Sequence, residues 1–109
     1  MIARIWRGWA ATREKAAAYQ RHVTGKVFPA LPAVAGHRGA LLLRREDEGR
    51  IEFLAMTLWA SPEAIRGFAG DDIERAVVEP EARAVLAGFD DVARHYEVAH
   101  AAGLEALKG

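Results

Sequence analysis

The stretch from Arg50 to Asp72, RIEFLAMTLWASPEAIRGFAGDD, decides the fold. Its first half reads as a strand. Side chains alternate along a strand, so Ile51, Phe53, Ala55, Thr57 and Trp59 share one face. Glu52, Leu54, Met56 and Leu58 share the other. Only Glu52 and Thr57 interrupt the apolar character. From Phe53 onward the strand is therefore expected to be covered on both sides and to lie centrally. Ser61-Pro62-Glu63 then starts a helix: Ser caps free backbone N–H groups, Pro fits the first helical position, and Glu suits the positive end. This helix is expected to bury Ala64, Ile65 and Phe68 and to stop at Gly70.

Upstream, His37 to Glu46 reads as a strand centred on Ala40-Leu41-Leu42-Leu43, joined to the first by a hairpin turn at Asp47-Glu48-Gly49. Before it, Thr12 is a good N-cap, and Ala16, Tyr19, Val23 and Val27 recur at helical spacing. Gly25 weakens that helix by about 1 kcal/mol relative to Ala. Pro29 disfavours helical geometry at Phe28. The helix is therefore expected to end between Gly25 and Phe28, with a short turn restarting at Pro29. Met1 to Ala10 reads as an opening strand that mixes large apolar and Arg residues on both faces. Downstream, Asp72 is placed to cap a short helix carrying Ile73 and Val77. Pro80 begins a further turn through Leu86, and Asp90 to Val98 reads as the last strand. His100 to Gly109 is an Ala-rich tail, open between a short helix and a frayed end.

The order is β-α-β-β-α-β, the split βαβ or ferredoxin-like pattern of an α+β protein. Right-handed crossovers place strands one and three centrally and two and four at the edges. Both main helices then cover one face of the sheet. The other face keeps apolar side chains exposed in a monomer, and such a surface marks an interface. Two sheets packing face to face bury it, so the expectation is a two-fold homodimer, a dimeric α+β barrel. Residues 1–98 are read as one domain and 99–109 as a C-terminal tail.

Composition narrows the partners. The 109 residues carry 15 Lys+Arg against 15 Asp+Glu, so no basic excess exists to neutralise phosphates, and nucleic acid is not expected as a partner. No segment approaches the roughly 20 apolar residues of a membrane span. Arg4 and Arg7 break any leader-like apolar run. There is no cysteine, hence no thiolate chemistry. The expected location is cytoplasmic.

Four segments carry a resemblance to a known group: the opening strand, PAVAGHRGALLLRRED from Pro32 to Asp47, MTLWASPEAIRGF from Met56 to Phe68, and HYEV from His95 to Val98. Over about residues 2 to 98 the chain resembles the antibiotic biosynthesis monooxygenase family of dimeric α+β barrel proteins. That family includes cofactor-free oxidases of aromatic polyketides, haem-degrading enzymes and proteins with no assigned reaction. The resemblance implies that Trp59 lines a cavity between sheet and helices. It also exposes departures. The oxidases use an Asn four residues before that Trp and a Tyr six after it; here those positions are Ala55 and Ile65. The haem-degrading branch uses a Trp and a His that align with Phe68 and Val78. The resemblance thus implies neither of those two machineries intact, and no cofactor is expected.

The resemblance and the residues together offer a short list of candidates for a cavity lining: Trp59, Tyr19, His22, Phe68 and His95. Trp59 presents a large apolar wall with an N–H donor, suited to a flat aromatic ligand, or it is a core anchor between strand and helix. His22 follows Tyr19 by one turn, and such a pair can bind or deprotonate a phenol; a boundary His in contact with solvent is the plainer reading. His95 meets the cavity or caps the sheet. Arg4, Arg7, Arg44 and Arg45 can hold an anionic group, although surface pairing with Asp47 or Glu48 accounts for them more simply. No His pair at i, i+4 and no acidic partner set suggests a metal site. No catalytic residue is assigned. Two functions stay open: a cofactor-independent monooxygenase acting on an aromatic or quinoid small molecule, and a non-catalytic ligand-binding or structural dimer of the same fold.

Overall fold

The computed structural model describes residues 1–104. Its five-stranded antiparallel sheet is built on β1 (Ile2–Ala10) and β3 (Arg50–Trp59), which pair along their full length from Ile2↔Trp59 to Ala10↔Ile51. On the outer side of β3 lies β2 (His37–Asp47), and on the outer side of β1 lie β4 (Gly88–Phe89) and β5 (Arg94–Glu97). β1 and β3 are thus the central strands, as their two-sided apolar pattern requires. The β2–β3 turn is tight. Asp47 still pairs with Arg50, and Glu48 and Gly49 both take positive φ, 52° and 83°, the geometry that matches strand twist.

The helices α1 (Arg13–His22), α2 (Phe28–Ala30), α3 (Pro62–Ala69) and α4 (Pro80–Val85) complete the fold. Thr12 caps α1 by accepting from the Lys15 N–H at 3.1 Å, and Ser61 caps α3 by accepting from the Ala64 N–H. Gly70 ends α3 with φ 85°. α1 and α3 lie over the face that carries Phe53 and Trp59. One buried cluster joins Tyr19 and Val23 to Ile51 and Phe53. A second joins Leu31, Trp59 and Ile65. Among the described residues, no helix lies on the opposite face. There Ile5, Leu41, Leu54, Met56 and Leu58 are only half-buried, and Leu43 is 44% exposed.

Three expectations fail, each because tertiary contacts override a local signal. Helical geometry does not end between Gly25 and Phe28. After His22 the chain widens into a π-helical turn, Val23–Val27, and continues through α2 into a 3₁₀ turn at Leu31–Ala33. The Phe28 N–H bonds the Val23 carbonyl five residues back, and Phe28 itself is helical at φ −63°, ψ −41°. A wider turn leaves room for the Pro29 ring, which in an α-helix clashes with the carbonyl four residues earlier. Residues 71–79 are irregular instead of a short helix. Asp72 caps only a turn, while the Ala76 N–H bonds the Asp91 carbonyl at 3.0 Å and the Ala93 N–H bonds the Glu74 carbonyl at 2.8 Å. The last strand is two strands. Gly8 pairs with Phe89 and Ile5 with Arg94, so three steps on β1 oppose five on the partner. The two extra residues form an outward bend held by the Trp6 indole N–H donating to the Asp90 carbonyl at 2.7 Å. The C-terminal tail at 99–109 lies partly outside the described residues. Among those described, no helix is long and apolar enough to cross a membrane.

Candidate functional site

The helical face of the sheet and the extended α1 segment do not close on each other completely. Between them lies a cavity whose walls include Trp6, Tyr19, Val23, Val27, Phe28 and Phe68. Its floor is the middle of the two central strands, where β3 presents Ala55, a side chain too small to fill the layer, beside Thr57. The π-helical turn is the roof: Val23, Val27 and Phe28 all point in from it. Val77, also in the lining, is 43% exposed. The cavity offers about 80 Å³ to the centres of water-sized atoms. At roughly 10–15 Å³ per water, that is room for several waters or one aromatic ring.

Polar groups enter this apolar space at a few points. Tyr19 is buried among Trp6 and Phe53, with ring centroids 6.5 and 4.8 Å away. Burial drives its phenol pKa well above the ordinary value, so the hydroxyl stays protonated and acts as a donor. The His22 side chain is 9% exposed, and its Nε2 has no hydrogen-bond partner among the described residues. That nitrogen lies 3.5 Å from a Glu79 carboxylate oxygen, while Nδ1 lies 3.8 Å from Glu81. Lys26 holds the same two carboxylates, at 3.6 Å from Glu79 and in direct contact with Glu81. Its ammonium hydrogen bond keeps the Glu81 carboxyl below its ordinary range. His22, Glu79 and Glu81 therefore come within metal-ligand distance of one another, a grouping the sequence spacing did not suggest. Lys26 already supplies the cation that this carboxylate pair needs.

Arg4 is the polar residue the sequence reading misjudged. It is not a surface partner of Asp47 or Glu48. It is 4% exposed and lines the cavity. Its Nη1 donates to the Ile73 carbonyl and contacts His95 Nε2 at 2.9 Å; its Nη2 donates to the Arg75 carbonyl at 2.9 Å. Its guanidinium also stands 5.8 Å from the Phe68 ring centre. A signal was present: Arg4 falls between Ile2 and Trp6 on one strand face, and the period-2 pattern puts all three beneath the helices. The other arginines behave differently. Arg7 and Arg45 pair with Glu52 on the opposite face, at 3.4 and 2.9 Å, and Arg44 donates to the Gln20 side chain at 2.9 Å.

Of the five residues expected at a cavity, the structure brings Tyr19, His22 and Phe68 to its surface. Trp59 is behind the wall and not on it. It is 0% exposed, its indole N–H donates to Thr57 Oγ1 at 2.8 Å, and its ring stacks on Phe68 at 5.8 Å. His95 meets Arg4 and not the cavity itself. Burial, and after it the Arg4 charge, lower its pKa, so Nε2 is free to accept from Arg4. Ala55 and Val78 line the cavity with no polar atom, and Ile65 is sealed in the core. Val78 stands where the resemblance puts a haem-ligating His, and its side chain has no atom that binds iron.

An α+β protein with a ferredoxin-like sheet, helices on one face and a small cavity beneath them is the class these features define. Solved structures that match the chain include two with this fold. One is a candidate antibiotic biosynthesis monooxygenase from Bacillus cereus, 15% identical, with a TM-score of 0.62 over 94% of this chain and 95% of that one. The other is a candidate antibiotic biosynthesis monooxygenase from Chloroflexus aurantiacus J-10-fl, 16% identical, with a TM-score of 0.54 over 94% and 96%. At these identities the likeness carries the fold. No protein-family model matches the chain, and no curated protein does.

Proposed function

We propose that the protein is a member of the antibiotic biosynthesis monooxygenase family that takes a single-ring hydroquinone or related aromatic molecule into this cavity. There it oxidises the ring with molecular oxygen, without a cofactor. The observation that carries the reading is His22: a side chain in the lining of an aromatic cavity whose buried Nε2 has no hydrogen-bond partner among the described residues. The His22 imidazole takes the phenolic proton, and the imidazolium is stabilised by Glu79 and Glu81, 3.5 and 3.8 Å from its two nitrogens. The electron-rich ring reduces O₂, a carbon–oxygen bond forms, the O–O bond breaks, and the second oxygen leaves as water. One hydroquinone and one O₂ give one hydroxyquinone and one water. Tyr19 donates to the ring oxygen, and the apolar walls exclude bulk water.

The test is oxygen uptake with a panel of single-ring hydroquinones, set against the rate in buffer. The wild type is expected to exceed the buffer rate, with a hydroxylated quinone as product. His22→Gln is expected to lower the rate by about a hundredfold or more. Uptake equal to the buffer rate with every compound refutes the reading. The alternative, a binding module of the same fold, is favoured by Ala55 and Ile65, which leave the cavity without the amide and phenol that the resemblance places there. The same reading includes a two-fold dimer that covers the uncovered sheet face.

A further inference from the structure

We infer that the cavity is built for a ligand that arrives as an anion, an aromatic carboxylate whose charged oxygens meet Arg4. The inference rests on the cavity being a small-molecule site, and not on the oxygen chemistry. The guanidinium is nearly fully buried, and among the described residues no carboxylate lies within salt-bridge distance of it. A buried charge without a counter-ion is costly, and proteins pair such charges. The protein supplies only neutral partners: two backbone carbonyls and the His95 ring. These use three of the five N–H donors of an Arg, leaving the Nε–H and one Nη2–H unused.

Those neutral partners also fix the guanidinium. The Ile73 and Arg75 carbonyls belong to the irregular 71–79 segment, and His95 to β5, so three contacts from two separate segments hold the group in one orientation. Close to it, Thr57 and Tyr19 add hydroxyls to the same cavity surface. Thr57 Oγ1 already accepts from Trp59, which leaves its own hydrogen to donate. The lining therefore carries donors from Arg4, Thr57 and Tyr19. The one carboxylate of the lining, Glu79, sits with Lys26 and His22. A ligand with acceptor oxygens on a flat ring complements that arrangement: the ring lies among Trp6, Phe28 and Phe68, and the carboxylate faces Arg4.

Ligand-detected NMR titration of the full chain with benzoate and with its neutral isostere benzamide tests this. Benzoate is expected to bind about tenfold more tightly or better, because only it makes charge-assisted hydrogen bonds. Ala55→Phe, which fills the floor, is expected to abolish benzoate binding. Arg4→Gln, if folded by circular dichroism, is expected to remove the preference. Equal affinities, no binding of either compound, or undiminished benzoate binding by Ala55→Phe each overturn the inference. Failure of hydroquinone turnover alongside a clear benzoate preference sinks the proposed reaction and leaves the anion site standing; turnover without the preference does the reverse.

Discussion

Trp59 shows how a residue can belong to a site region without touching the ligand. Its indole is fully buried, its one donor is satisfied by Thr57, and Phe68 lies between it and the cavity. Trp59→Ala is therefore expected to lose about 3–5 kcal/mol of stability in a denaturant titration. Trp59→Phe, which keeps most of the packing, is expected to leave benzoate affinity within a few-fold of the wild type. A large affinity loss in Trp59→Phe with intact folding would put the indole in the site after all. His95 and His37 give a pH signature. Burial lowers both pKa values below the ordinary 6.5, so the native state binds these protons less readily than the unfolded chain. Their contribution to stability is full above pH 6.5 and is lost as the pH falls from there through the folded pKa. A protonated His95 would also set a second cation 2.9 Å from Arg4 Nη1. Melting temperatures measured at pH 7.5 and 5 are expected to fall, and His95→Gln to flatten the fall.

At the scale of elements, two glycines separate turn chemistry from helix chemistry. Gly36 links the α2 region to β2 at φ 88°, and a Cβ there would stand 2.5 Å from the Ala64 Cβ on α3. Gly36→Ala is thus expected to cost about 1–3 kcal/mol, from strain and overlap together. Gly25 sits in the π-helical turn with nothing within 4 Å of a built Cβ and no positive φ. Gly25→Ala is expected to stabilise the protein by about 0.5–1 kcal/mol, although the residue looked like a helix end. Urea midpoints of the two variants should move in opposite directions. The π turn also explains a missed boundary. Gly25 and Pro29 are local stop signals, but burying Val23 and Leu31 and carrying Val27 and Phe28 over the cavity outweighs them. The short helix expected at Asp72 was lost the same way, to backbone pairing with Asp91 and Ala93.

The whole molecule presents one covered and one uncovered sheet face. Ile5, Leu41, Leu43, Leu54, Met56 and Leu58 line the uncovered side, with the Glu52 carboxylate bridging Arg7 and Arg45 at its edge. A row of this kind is self-complementary about a two-fold axis. Sedimentation equilibrium at micromolar concentration is expected to give twice the 11.9 kDa chain mass. Leu54→Glu is expected to give the single-chain mass while keeping the helical-face core, which this side chain does not enter. A single-chain mass for the wild type would leave the apolar face unexplained by self-association.

Local patterning determined the central strands of the sheet. The doubled apolar faces of Arg50–Trp59 require a central strand, and the Ser-Pro-Glu and Thr caps require helices after it and after β1, because alternation and capping are local rules that operate within a few residues. The same patterning put Tyr19 and Phe68 toward the sheet and His22 beside the apolar stripe. Only the tertiary structure decided that Trp59 is sealed, that His22 meets Glu79 across 57 positions of sequence, and that Arg4 is buried with no counter-ion among the described residues. Those facts depend on which distant segments pack over β1, and a buried charge looks the same in a sequence as an exposed one until its neighbours are known.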